Sequence, residues 1–299
     1  MKQPTITTIT TTTVAMLSMM LLAVAFFVAP AAQKSYSQGG TGLSAMTLAS
    51  FGNGNSSAVA NLQPTENKTV TYFGQNTLGY LVYPSQNQSG EKSKLPAVVM
   101  IHENKGLNDY IKESANLLAK NGYVVLAVDL FNGEVVTDDQ NRSRELTGAI
   151  RENPDIAIEN TKAAVQYLQS LGNVDPAKIA SLGWCFGGQQ SLQLAINSKD
   201  NPLAATVIYY GRLTNDTQTL SDITWPVLGI FGGKDQSISV DSVTQFQKAL
   251  NETGVANEIY VYPNVGHAFA NPSNDNYATK ETADAWNKTL DFLGRHLKT

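Results

Sequence analysis

Short apolar runs alternate with stretches of helical periodicity from about Thr69 to the C-terminus, and this alternation restricts the fold more than any other feature. Pro96–His102 (PAVVMIH) and Tyr123–Phe131 (YVVLAVDLF) are almost continuously apolar, so each reads as a strand buried on both faces. KIASLGW, AATVIYYG, WPVLGIFGG and NEIYVYP read as further strands. GLNDYIKESANLLAKNGY sets Ile111, Leu117 and Leu118 at helical spacing, with Gly122 as a stop. PDIAIENTKAAVQYLQSLG opens on Pro154, a residue suited to the first helical turn. FGGQQSLQLAINS, Val240–Gly254 and the amphipathic stretch from about Tyr277 to Leu297 complete the helices. TVTYFG and TLGYLVYP alternate as a hairpin that turns near Gln75-Asn76. The pattern predicts an α/β domain over residues 67–299: an open, mostly parallel sheet with helices on both faces.

Composition excludes several function classes. The net charge of −4 gives no basic footprint for nucleic acid. A single cysteine rules out an internal disulfide and a cysteine-rich metal cluster. Only His102, His267 and His296 supply imidazoles, so catalytic or metal roles for imidazole have few candidates. Residues 1–32 read separately from the domain. Val14–Ala32 is uncharged, is about as long as a bilayer core requires, and ends in small residues. Signal peptide and retained membrane anchor both fit, and either places the protein outside the cytoplasmic membrane, secreted or attached to its outer face. Residues 33–66, rich in Gly, Ser, Ala and Asn, read as a flexible linker. Asn55, Asn67, Asn87, Asn141, Asn215, Asn251 and Asn287 begin N-x-S/T sequons, as an exported glycoprotein would carry.

The lone cysteine carries the sharpest signal. In SLGWCFGGQQ, Cys185 falls on the turn between the strand KIASLGW and the helix FGGQQSLQLAIN. Gly183-x-Cys185-x-Gly187, followed by Gly188, has the spacing of a nucleophile elbow with sulfur in place of oxygen. Such a turn is sharp, and small residues let the strand and helix approach closely. The following helix directs its N-terminal N–H groups at the sulfur, which favours a thiolate and an oxyanion.

A nucleophile needs a base, and the base an orienting acid. Asp235 in GGKDQSIS and His267 in NVGHAFANP each follow a strand, in the chain order nucleophile, acid, histidine. Both then lie at carboxyl ends of strands, where open α/β sheets place their sites. His102 and Glu103 end another strand. The loop there predicts the Asn104 backbone N–H as an oxyanion donor, paired with that of Phe186. Trp184, Tyr209 and Tyr210 are candidates to line the pocket.

IHENKGLNDYIKESANLLAKNGYVVLAVDLF, LGWCFGGQQS, VIYYG, GGKDQSIS and GHAFANP together resemble the dienelactone hydrolase family, the carboxymethylenebutenolidase-like α/β-hydrolases. The resemblance implies a Cys185–His267–Asp235 triad with Glu103 as an auxiliary that contacts the resting thiol. It implies hydrolysis of a small-molecule ester or enol-lactone without a cofactor. It also exposes a departure: Asn271 stands where the family has an arginine that binds the substrate carboxylate. Arg144 is the candidate for a second family arginine. A carboxylesterase, thioesterase or acyl transferase acting on another substrate is therefore an alternative, as is a non-catalytic surface binding protein. A redox thiol ranks lowest, because the chain has no resolving cysteine.

Overall fold

A computed structural model describes residues 64–85 and 94–299. Its centre is an eight-stranded sheet, with strands in the order β1-β2-β4-β3-β5-β6-β7-β8. β1 (Thr65–Phe73) and β2 (Thr77–Pro84) form the expected hairpin, and β2 runs antiparallel to β4 (Val124–Val128). β3 (Leu95–Ile101), β5 (Val174–Trp184), β6 (Ala205–Tyr209), β7 (Val227–Gly232) and β8 (Asn257–Tyr262) continue from β4 in parallel. The chain therefore has the α/β architecture that its strand–helix alternation predicts.

The apolar runs have no polar face because each strand packs on two layers. Ala97, Val99 and Ile101 of β3 join one core, while Val98 and Met100 join the other. The first layer is roofed by α3 (Pro154–Ser170), α4 (Phe186–Ile196) and α6 (Val240–Glu252). The second is roofed by α1 (Asp109–Lys120) and α7 (Thr279–Leu297). The side chain of Asn108 accepts from the Ile111 N–H and caps α1.

Three elements differ from expectation. β1 begins at Thr65, two residues inside the expected linker; Glu66–Thr69 are exposed on an edge strand, so no burial pattern marks them. The polar stretch after Phe131 contains a helix, α2 (Gln140–Glu152). A short helix, α5 (Thr217–Leu220), lies between β6 and β7. Residues 1–63 and 86–93 lie outside the described residues, and with them the expected signal peptide or anchor, nearly all of the expected linker and the sequons at Asn55 and Asn87. The other five sequon asparagines are exposed. No helix among the described residues is long and apolar enough to cross a membrane.

Candidate active site

The loops at the carboxyl ends of β3, β5, β6, β7 and β8 bring Glu103, Cys185, Tyr210, Asp235 and His267 together. Cys185 sits between β5 and α4 at φ 54°, ψ −114°, a backbone conformation that L residues rarely adopt. The surrounding glycines hold it there. A Cβ on Gly183 would meet Gly187 O at 2.1 Å. One on Gly187 would meet Ile101 O at 2.3 Å and His102 O at 2.4 Å. The elbow thus presses directly on the backbone at the end of β3. Cys185 N–H donates to Tyr209 O at 3.0 Å, which secures the turn to β6 as well.

The expected triad residues form one continuous hydrogen-bonded line. His267 Nε2 lies 3.0 Å from Cys185 Sγ, and His267 Nδ1 lies 2.7 Å from Asp235 Oδ2. Asp235 is fixed in turn, because its Oδ1 accepts from the N–H groups of Ser237 (2.7 Å) and Ile238 (3.0 Å). Burial pushes the Asp235 carboxyl up, but the His267 contact and the two backbone donors outweigh it and hold it below the usual range. Burial pushes the His267 imidazole down. Asp235 and Cys185 more than offset this and bring it up to about 10. The site therefore favours an imidazolium facing the sulfur.

Glu103 is placed differently from the expectation. The sulfur's partner is His267, whereas the Glu103 carboxylate accepts from Asn271 Nδ2 and, at 3.5 Å, from Tyr210 OH. Asn271 is only 5% exposed, and its Oδ1 accepts from Ser273 N–H and Oγ–H. It is committed to Glu103 and to its own turn, so it is not a free substrate contact. Burial is the main influence on Glu103 and pushes its carboxyl up to about 7, against pulls from Asn271, His267, Tyr210 and Lys105. The folded protein thus keeps this proton over a range in which the unfolded chain has lost it. The group's contribution to stability falls as pH rises from about 4.5 to about 7, then stays constant. Glu103→Gln is neutral throughout. It is expected to melt with the parent near pH 4.5 and to be more stable at pH 8, by up to roughly 3 kcal/mol. Thermal melts at both pH values check this; an equal difference at both would assign the proton elsewhere.

A cleft of about 560 Å³ opens over Cys185 and is lined by Asn104, Lys105, Arg144, Arg151 and Phe186 among others. Among the described hydrogen bonds, the backbone N–H groups of Asn104 and Phe186 have no partner. The Asn104 carbonyl is held by Ser143 Oγ of α2 at 2.7 Å. Arg144 stands on the rim and donates to Asn141 and Gln140 of its own helix. Arg151, further along α2, lines the same cleft as Cys185. Its guanidinium is lowered by partial burial and by the neighbouring Arg212, while the sulfur opposes this. Of the aromatic candidates, Trp184 and Tyr209 are 1% exposed and pack on each other in the core beneath, with Tyr209 OH paired to Thr289. Tyr210 is fully buried, with its ring edge-on to His267. A strand end in this sheet faces the α1–α7 layer as well as the cleft, and these rings fill that layer. Among the described residues no cluster of His, Cys, Asp or Glu is arranged to hold a metal ion.

A sharp strand–cysteine–helix turn at the centre of a mostly parallel eight-stranded sheet, with an acid and a histidine after later strands, is the arrangement of an α/β-hydrolase. The sequence matches the dienelactone hydrolase family over residues 78–297, and the chain belongs to that family and is a hydrolase of its type. It is 30% identical over 219 residues to a "Putative carboxymethylenebutenolidase" of Methylorubrum extorquens, spanning 69% of this chain and 74% of the relative. It is 29% identical over 234 residues to a "Probable 2-oxo-3-(5-oxofuran-2-ylidene)propanoate lactonase" of a Bradyrhizobium species, spanning 75% and 91%. The crystal structure of a "Putative Dienelactone Hydrolase" from Klebsiella pneumoniae superposes with a TM-score of 0.66 at 24% identity, covering 78% of this chain and 98% of the other. That structural likeness concerns the fold.

Arg151, Arg212 and the Ser143 tether escaped the sequence reading. They hang on α2 and on the residues just after β6, and α2 has too few apolar residues to show a helical stripe.

Proposed function

We propose that this protein hydrolyses small esters or enol-lactones that carry an anionic group, with Cys185 as nucleophile. The observation that carries this reading is the unbroken line from Cys185 Sγ through His267 to Asp235. The thiolate adds to the substrate carbonyl carbon, and the π electron pair moves to oxygen. The backbone N–H groups of Asn104 and Phe186 receive that oxyanion. Collapse expels the alkoxide or enolate, which takes its proton from the His267 imidazolium and leaves a thioester on Cys185. Neutral His267 then removes a proton from water as the water attacks the thioester. The acid departs, and the thiolate–imidazolium pair is restored. Asp235 keeps Nδ1 protonated and the ring in line. Glu103, buried and held by Asn271 and Tyr210, is an auxiliary carboxyl that acts on His267 through its charge.

Arg151 supplies the anion contact in this reading, in place of the family arginine that Asn271 replaces. Arg151→Ala is expected to raise KM for cis-dienelactone by about tenfold or more, with little change for p-nitrophenyl acetate. Arg144→Ala should move neither substrate by more than about twofold. Steady-state kinetics on both substrates check this. Parent turnover of the aryl ester alone would favour the second reading, a cysteine esterase for neutral substrates, which the commitment of Asn271 to Glu103 supports. We also propose that the domain works outside the cytoplasmic membrane, released or tethered through residues 1–66. That proposal rests on the apolar run Val14–Ala32.

A further inference from the structure

His102 is completely buried and takes no part in the proton path proposed above. Its two ring nitrogens face different partners. Nε2 lies 3.0 Å from the backbone N–H of Leu130, just past the end of β4. A backbone N–H only donates, so Nε2 accepts and carries no proton. Burial lowers the basicity of the ring and keeps it neutral, so its single proton sits on Nδ1. Nδ1 lies 2.6 Å from the carbonyl oxygen of Glu103, the next residue. That carbonyl belongs to the Glu103–Asn104 peptide. In a planar trans peptide the C=O and N–H point in opposite directions, so holding the oxygen against the ring turns the Asn104 N–H away from it. Among the described residues the same carbonyl has one other partner, the Gly106 N–H at 3.4 Å, too long to fix the plane alone. The ring itself lies between Phe131, with centroids 4.7 Å apart, and Phe186, stacked at 6.1 Å with the ring planes 28° apart. Phe186 is the residue that offers the second free N–H beside Cys185.

We infer that His102 is a positioning residue: its Nδ1–H grips the Glu103 carbonyl and so aims the Asn104 N–H at the developing oxyanion, while its ring braces Phe186. The inference rests on the proposed use of those two N–H groups. It assigns a role to a side chain that never meets the substrate, and it explains why a fully buried imidazole lies next to the auxiliary glutamate.

Two substitutions separate the two ring nitrogens. Asparagine at 102 places an amide N–H where Nδ1 stands and nothing where Nε2 stands. Glutamine reaches the place of Nε2 and leaves that of Nδ1 empty. With p-nitrophenyl acetate, kcat of His102→Gln is expected to fall at least about tenfold while KM stays within about threefold, and His102→Asn should turn over at least about tenfold faster than His102→Gln. Alkylation of Cys185 by iodoacetamide forms no oxyanion, and its rate should differ by less than about threefold between parent and both variants. Equal kcat in the two variants, or a kcat loss matched by slower alkylation, would overturn the inference. The parent gives a test independent of variant folding. Spectra of 15N-histidine-labelled protein should show His102 as the Nδ1–H tautomer, and an Nε2–H tautomer would overturn it. Loss of turnover in Cys185→Ala alongside equal His102 variants would remove this inference alone. Retained turnover in Cys185→Ala would instead remove the reading of the site on which it rests.

Discussion

Cys185→Ala is expected to lower kcat/KM for p-nitrophenyl acetate by at least about a thousandfold, because removing the nucleophile of a triad leaves only binding and oxyanion stabilisation. Cys185→Ser should retain a measurable fraction. Its hydroxyl occupies the same elbow, but it is a far weaker acid than a thiol and gains less from the imidazolium at 3.0 Å. Activity and stability should move in opposite directions at this position. The residue holds φ 54° and ψ −114°, which a side chain resists and glycine accepts. Cys185→Gly should therefore be inactive and yet melt above the parent, by about 1–3 kcal/mol of released strain. Thermal melts alongside the kinetics check both halves. A glycine variant that melts below the parent would show that the elbow holds no strain.

The second large effect is expected at Gly187. An added methyl would sit 2.3 Å from Ile101 O and 2.4 Å from His102 O, and both are backbone atoms that cannot rotate aside. Gly187→Ala must push the start of α4 away from the end of β3. That separates the two N–H groups beside Cys185 and loosens the His102 wedge. Turnover should fall at least about a hundredfold, and stability by about 2 kcal/mol or more. Gly294→Ala is the matched control. It lies within α7, where an added Cβ meets nothing within 4 Å, so it should stabilise by about 0.5–1 kcal/mol and leave kinetics unchanged. Equal behaviour of the two alanine variants would refute the role assigned to close approach at the elbow.

The parts legible in the sequence are those where local chemistry and tertiary position coincide. A strand buried on both faces shows itself as an apolar run, which is why β3 to β7 stand out. The elbow shows itself because only glycine fits at 183 and 187. Asp235 and His267 stand out by following strands in the right order. α2 does not, because its inward face is Ser143, Thr147 and Ile150, a mixed face suited to a polar cleft. Partner choice was equally hidden. Asn271 meets Glu103 across 168 residues of sequence, and Tyr209 meets Thr289 across 80. Nothing in the local sequence distinguishes an aromatic aimed at the cleft from one packed beneath it.

A covalent thioester on Cys185 is the intermediate that the proposed chemistry requires, and it can be trapped. Parent protein mixed with p-nitrophenyl acetate, quenched in acid during turnover and digested, should yield the Cys185 peptide carrying one acetyl group. The adduct should vanish after a chase without ester and be absent in Cys185→Ala. An acetyl group on another residue, or full turnover with the Cys185 peptide never modified, would show that Cys185 is not the nucleophile.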